Sequence, residues 1–388
     1  FHCFQARIRV DQEEEETYFE VNKKFSRVLR RFLEPEDIVW VHDYHLMPLG
    51  HFIRKEGFER PLGFFLHTPF PPVEMIEILP NPQSFMEACL YYDLAGFHTE
   101  RYRENYFEVM ARLLPARREG DTILSGDRQQ RVVTVPIGID PSTFRHERGK
   151  EIPERKRPYF SLHGSKVVFA VDRLDYAKGI PERMMSFEYF LKRYPRWRTK
   201  VSLVQVCSPS RTRVREYREQ KELVDSLVGR INGEYSEHDW HPVCYLYRTY
   251  EQSQLAHFYR NADVALVTPL RDGMNLVAME YVAAQRPENP GVLVLSKYAG
   301  AAEYLKEAIH VNPYLPESMA EALDKALAMP LAERRYRHQA MMKFIDENTS
   351  QRWADQFISS LISTHKDTTQ TSGHLSDVSR LSWKKEMA

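Results

Sequence analysis

Hydrophobic positions along this chain fall into short unbroken runs, separated by longer stretches in which apolar residues recur every three or four places. The runs at residues 37–41, 62–66, 94–97, 132–137, 166–171, 201–206, 243–247, 264–267 and 291–295 read as strands, and the one at 264–267 has the length and β-branched content of a strand buried in a parallel sheet. Helical spacing marks residues 18–32, 101–114, 214–228, 252–261, 275–284, 318–329, 331–348 and 351–362. The acidic run at residues 13–16 reads as solvated surface, residues 117–130 as a polar surface loop, and residues 364–388 as a disordered tail. Strand and helix alternate in both halves. The pattern therefore predicts an α/β chain of two doubly wound Rossmann-like domains, with polar strand ends facing a central cleft. The charged segment 145–166, with Pro153 and Pro158, places the boundary near residue 150. The expected division is 1–150, 151–348, a helix at 349–363 crossing back to the first domain, and the tail.

Bulk properties narrow the chemistry. A chain of 388 residues exceeds what one ordinary core supports. Lys plus Arg and Asp plus Glu number 54 each, so no global field exists to hold nucleic acid or an anionic membrane, and any anion site must be local. Cys3, Cys89, Cys207 and Cys244 are scattered without a CxxC pair, which argues against a zinc site or disulfide framework and fits a reducing cytoplasm. No apolar run approaches the roughly 20 residues of a membrane span, and the opening residues do not read as a signal peptide. Neither GxGxxG nor GxxxxGK[ST] occurs, which disfavours dinucleotide oxidoreductases and P-loop enzymes. The chain opens on Phe1 and passes at once into FHCFQARIRV, so a fragment lacking its first elements is expected.

Candidate chemistry collects where predicted strands end. After the run at 264–267 comes TPLRDGMNLVAMEYVAAQ, in which Asp272-Gly273 signals a turn and a helix follows. The N–H groups at the start of that helix lack intrahelical partners and welcome an anion. Asp272 and Glu280, eight residues apart, suit hydroxyls beside it, although a capping Asp and a solvated Glu are the commoner uses of such residues. The strand at 37–41 runs into His42-Asp43-Tyr44-His45, four polar groups that a core could not cheaply satisfy. The strand at 62–66 runs into His67 and a proline-fixed loop. After the strand at 166–171, Arg173 and Lys178 stand five residues apart on a strand-to-helix loop: on a plain surface they would be ion pairs of little worth, whereas at the carboxyl end of a sheet facing a helix start they would form a diphosphate clamp. Arg211 follows the strand at 201–206, and small residues at 299–302 allow close approach.

Taken together, WVHDYHLMPL, FFLHTPFPP, VDRLDYAKGIPER, VGRINGEY, TPLRDGMNLVAMEYVAAQ and VLVLSKYAGAA closely resemble the trehalose-6-phosphate synthases. These are retaining GT-B glycosyltransferases that transfer glucose from UDP-glucose to glucose 6-phosphate, and the likeness runs from about Phe1 to Leu361. The resemblance implies that Arg173 and Lys178 neutralise the donor diphosphate and that Glu280 holds the ribose. It assigns the transferred glucose to Asp272 and the stretch Gly273, Met274, Asn275, Leu276 and Val277. His67 would lie near the donor sugar, Asp43 and Tyr44 would contact the acceptor, and Arg211 would meet its phosphate. Met279 stands where many members carry Lys, with its side chain expected to point away. Members also begin with a strand, a glycine-rich loop and acceptor-binding residues that precede this chain's first residue, so weak activity is expected of the chain alone.

The resemblance implies front-face attack, in which the leaving phosphate takes the acceptor's proton. It calls for no metal and no cofactor, so turnover is expected to be unchanged by EDTA; loss of turnover restored by magnesium would overturn this. Expected partners are the two sugar phosphates, with a homo-oligomer or a trehalose-phosphate phosphatase complex as the assembly, and neither nucleic acid nor membrane. The rivals are a synthase with another phosphorylated acceptor, of the glucosylglycerol-phosphate type, and a non-catalytic regulatory homologue. The retained Arg173, Lys178, Asp272 and Glu280 weigh against the latter.

Overall fold

The computed structural model describes residues 3–4, 8–146 and 166–383, with backbone alone at 146 and 367–383. Contacts divide the chain into one unit of Phe1–Pro136 with Gln351–Ala388 and a second of Ile137–Ser350. The boundary expected near residue 150 lies outside the described residues.

The first unit begins with α1 (Gln12–Leu29), whose first turns take in the acidic run, largely solvent-exposed as expected. The helix start is set locally. The Asp11 carboxylate accepts from the N–H groups of Glu13 and Glu14, and acidic side chains in a first turn meet the positive end of the helix dipole. There follow β1 (Val39–His42), α2 (Leu49–Lys55), β2 (Leu62–Leu66), α3 (Val73–Ile76), α4 (Pro82–Cys89), β3 (Leu94–Phe97) and α5 (Glu100–Leu113). The polar loop predicted at 117–130 is instead part of a three-stranded meander, β4 (Arg117–Glu119), β5 (Thr122–Ser125) and β6 (Arg128–Thr134), whose last strand runs into the one expected at 132–137. Gly120 and Gly126, both at positive φ, supply its turns. The sheet order is β1-β2-β3-β6-β5-β4, parallel through β6 and antiparallel beyond, so this sheet is mixed rather than wholly parallel.

Neighbouring side chains on its strands serve opposite faces. Phe64, Leu66 and Phe97 pack with Ile53, Met86, Tyr106 and Met110 from the helices on one side. Phe65 and Leu94 pack with Phe357 and Leu361 on the other. Those last two lie on α13 (Ser350–Trp383), which closes the far face of the first sheet. It sits so close that a Cβ on Gly96 would come 2.7 Å from Phe357. Its buried stripe continues past residue 362, where a disordered tail was expected. Thr364 is buried and His365 Nδ1 lies 3.2 Å from an Asp93 carboxylate oxygen, so the same face keeps finding partners and the helix goes on.

The second unit holds α6 (Pro141–His146), β7 (Lys166–Arg173), α7 (Ile180–Arg193), β8 (Val201–Ser208), α8 (Arg215–Tyr235), β9 (Val243–Tyr247), α9 (Gln252–Asn261), β10 (Val264–Val267), α10 (Leu276–Ala284), β11 (Val292–Ser296), β12 (Ile309–Val311), α11 (Pro316–Ala328) and α12 (Leu331–Glu347). Its six strands are all parallel in the order β12-β11-β10-β7-β8-β9. Phe169 and Val171 face Tyr259, Met341 and Ile345, while Val168 and Ala170 face Met184, Phe187, Val224 and Leu323, so helices cover both faces. The chain starts in the middle at β7, builds outward to β9, then returns to β10 on the other side. Connections therefore leave the carboxyl ends of β7 and β10 in opposite directions, and a crevice opens between them.

Candidate active site

Of the second unit's predicted residues, hydrogen bonds bring Lys178, Asp272 and Asn275 together at that crevice. Arg173 ends β7 and is exposed. Lys178 ends a 3-10 turn, Tyr176–Lys178, and its Nζ lies 2.5 Å from Asp272 Oδ2 on the loop after β10. Burial works against the ammonium, but Asp272 and Asp172 outweigh it and hold the lysine pKa above its ordinary value. Asp272 is thus not the helix cap that its position allowed. Asn275 occupies the cap position with φ 73, makes no side-chain cap bond, and donates from Nδ2 to Asp272 Oδ2 at 2.9 Å. The first turn of α10 is left without a side-chain cap, the state in which a helix end receives an anion.

Gly273 and Met274 are buried in the loop, and Leu276 and Val277 open α10 half-buried. The loop is braced from outside: Gly300 N–H donates to Asp272 O at 3.1 Å and Ala301 N–H to Met274 O at 2.9 Å, which explains the small residues there. Because α10 starts at Leu276, Glu280 sits about one turn into the helix. Its Oε2 accepts from Tyr259 Oη at 2.9 Å, and burial raises its pKa while that bond pulls it back. Met279 is fully buried in the core.

Arg183 was missed in the sequence. It is 0% exposed on α7 and spends its guanidinium entirely inside: Nη1 on Asp172 Oδ2 at 2.5 Å and Gln205 Oε1 at 2.8 Å, Nε on Thr268 Oγ1 at 2.9 Å, and Nη2 on the Lys178 carbonyl at 3.2 Å. It ties β7, β8, the end of β10 and the Lys178 turn together. The signal was present in the motif, since GIPER sets an arginine on the first turn of a helix that is apolar on its inner side. Gly179 makes the turn possible. Its φ is +65, and a Cβ would stand 2.5 Å from Thr268 O. A Gly179→Ala variant should therefore lose about 1–2 kcal/mol from the left-handed backbone alone, seen as a lowered thermal midpoint; an unchanged midpoint would show that the turn can yield.

Arg211 lies on the loop after β8, exposed, with its Nη1 3.3 Å from Tyr217 Oη.

In the first unit, Asp43 has φ 62 and accepts from Thr68 Oγ1 at 3.3 Å, and Tyr44 opens a 3-10 turn. His67 Nε2 lies 3.0 Å from His42 Nδ1, with His98 packed 5.3 Å away, centroid to centroid. The His42 ring lies against Trp40 at 4.4 Å, and burial, then His67, push its pKa down to about 4. Burial also lowers His67 and His98. All three rings are neutral when folded near pH 7 and would gain protons below about 6.5 when unfolded. Their contribution to stability is full above about pH 6.5 and is lost as pH falls from there, for His42 through about 4. Denaturation midpoints should drop across that window, and less steeply in His42→Phe; parallel curves for the two proteins would refute the assignment.

Among the described residues no group of His, Cys, Asp and Glu could hold a metal, and no helix is long and apolar enough to cross a membrane.

The model of glycosyltransferase family 20 matches residues 1–363. The chain belongs to glycosyltransferase family 20. The trehalose-6-phosphate synthase of Klebsiella pneumoniae subsp. pneumoniae is 41% identical to it over 363 residues, 93% of this chain and 77% of the relative. A solved E. coli structure bound with UDP-2-fluoro glucose matches with a TM-score of 0.90 at 40% identity, over 93% of this chain and 81% of that one. An α,α-trehalose-phosphate synthase (UDP-forming) from Burkholderia xenovorans, in complex with glucose-6-phosphate, matches with a TM-score of 0.88 at 41% identity, again over 93% and 81%. The fold of this family 20 member is accordingly the α/β GT-B class expected from its sequence, with two Rossmann-like units.

Proposed function

We propose that this family 20 glycosyltransferase moves glucose from UDP-glucose to glucose 6-phosphate, giving trehalose 6-phosphate and UDP with retention at the anomeric carbon. The observation that carries the reading is the switch point of the second sheet, where Arg173, the Lys178–Asp272 pair and the uncapped start of α10 meet. Arg173 and Lys178 take the diphosphate and stabilise charge as the phosphate leaves. Glu280, oriented by Tyr259, takes the ribose hydroxyls, and Asp272 with residues 273–277 holds the glucose. Asp43, Tyr44 and His67 contribute sugar contacts from the first unit, and Arg211 takes the acceptor phosphate. The leaving phosphate oxygen accepts the acceptor's hydroxyl proton as the new glycosidic bond forms on the same face, so no protein nucleophile is needed.

Incubating the chain with UDP-glucose and glucose 6-phosphate should release UDP and yield an α,α-linked disaccharide phosphate by NMR. Product with glycerol 3-phosphate instead would move the acceptor assignment, and UDP binding without turnover on any phosphorylated acceptor would sink the catalytic reading. The chemistry belongs in the cytoplasm, in keeping with cysteines scattered along the sequence without a CxxC pair. Self-association or a trehalose-phosphate phosphatase complex belongs to the same reading, because the product carries a phosphate ester such a partner would remove.

A further inference from the structure

A polar line in the second unit is left unused by these roles. Arg211 has φ 43, a left-handed backbone that a long side chain adopts only under constraint and that gathers at ligand clamps. Its Nη1 donates to Tyr217 Oη at 3.3 Å. Tyr217, on the first turn of α8 and 4% exposed, donates in turn to Asp175 Oδ2 at 3.1 Å. Asp175, 7% exposed, accepts the Ala177 N–H on Oδ1 at 2.9 Å and so caps the 3-10 turn that ends in Lys178. Three bonds thus run from the cation assigned to the acceptor phosphate to the turn that carries the cation assigned to the donor diphosphate.

The two middle groups are withdrawn from water, so neither can replace a lost partner cheaply. Burial, then the Asp175 charge, raise the Tyr217 pKa to about 12, so the hydroxyl stays protonated and remains a donor. A phosphate that fixes the Arg211 guanidinium also fixes the hydroxyl it donates to. Through Asp175 it orders the Lys178 turn before the nucleotide arrives. We infer that Tyr217 is a positioning residue that couples acceptor-phosphate binding at Arg211 to diphosphate binding at Lys178, so that each substrate tightens the other. This rests on the assignments of Arg211 and Lys178 made under the proposed function.

The test is calorimetric titration of UDP with and without saturating glucose 6-phosphate, on the parent chain and on Tyr217→Phe, which keeps the ring packed against Tyr176. In the parent, glucose 6-phosphate should tighten UDP by about 5- to 150-fold, whereas unphosphorylated glucose should not. In Tyr217→Phe the tightening should shrink below about twofold, and by reciprocity UDP should no longer tighten glucose 6-phosphate. Equal tightening in parent and variant, or none in the parent, overturns the inference. Arg211→Ala separates it from the underlying reading. If that variant binds glucose 6-phosphate as the parent does, the Arg211 assignment fails and the inference falls with it. If it loses that binding while Tyr217→Phe keeps full coupling, only the inference falls.

Discussion

An Arg183→Met variant is expected to lose roughly 3–5 kcal/mol of stability, the usual consequence of removing one partner from a buried ion pair. The pair with Asp172 has side-chain exposures of 0% and 4%, so the carboxylate left behind would have no water to turn to. Burial already pushes the Asp172 pKa up, against the pull of Arg183 and Lys178. Without the guanidinium it would have to take a proton or admit solvent. Gln205, Thr268 and the Lys178 carbonyl would lose a donor at the same time. Methionine fills much of the volume, so the loss measures charge and hydrogen bonding more than a cavity. Urea denaturation followed by tryptophan fluorescence would report it, and a change below about 1 kcal/mol would show that the network relaxes. Adding Asp172→Asn should recover part of the loss because no charge remains stranded; a double variant worse than the sum of the singles would contradict the ion-pair account. Arg183→Lys should fall between, keeping the charge but not the fork.

That network also shows where sequence reading stops. The strands at 62–66, 94–97 and 264–267 were legible to the residue, because a strand covered on both faces must be apolar throughout, and 243–247 was legible by its apolar and aromatic run although β9 is a half-buried edge strand. β5 and the first half of β6 were not, because their polar side chains are half exposed and only the tertiary partner distinguishes such a segment from a loop, whereas residues 132–134 of β6 fall in the strand expected at 132–137. Within the site, Lys178 and Asp272 could each be singled out from the strand end that bears it. Their pairing across 94 residues required the β7–β10 adjacency, which no local pattern encodes. Arg183 stayed hidden for a different reason. An arginine on a helix is most often solvated, and although GIPER sets Arg183 on an inward first turn, the four acceptors that converge on it come from segments no local pattern brings together. The length of α13 was misjudged because Thr364 and His365 continue its buried face with polar side chains, which an apolar-spacing criterion passes over.

An Arg173→Ala variant is expected to lose about 10²–10³ in turnover, together with measurable UDP binding. The two cations of the proposed clamp are not equivalent. Lys178 is already matched by Asp272 at 2.5 Å, so a diphosphate arriving there shares a charge that the protein has partly spent. Arg173 is exposed at the end of its strand and makes no ion pair among the described residues, so its charge is the one a diphosphate can claim in full. A planar fork at that place can also hold two oxygens at once, and the interaction strengthens as charge builds on the leaving group. Calorimetric titration of UDP, then of uridine, into parent and variant separates these terms. UDP affinity should collapse in Arg173→Ala while uridine, which has no phosphate to offer, binds both proteins equally. Added salt should weaken UDP binding to the parent. If the variant kept its affinity for UDP but lost turnover, Arg173 would act only as charge develops. If both survived, the diphosphate would have to be held by Lys178 and the start of α10 alone, and the clamp reading would fail.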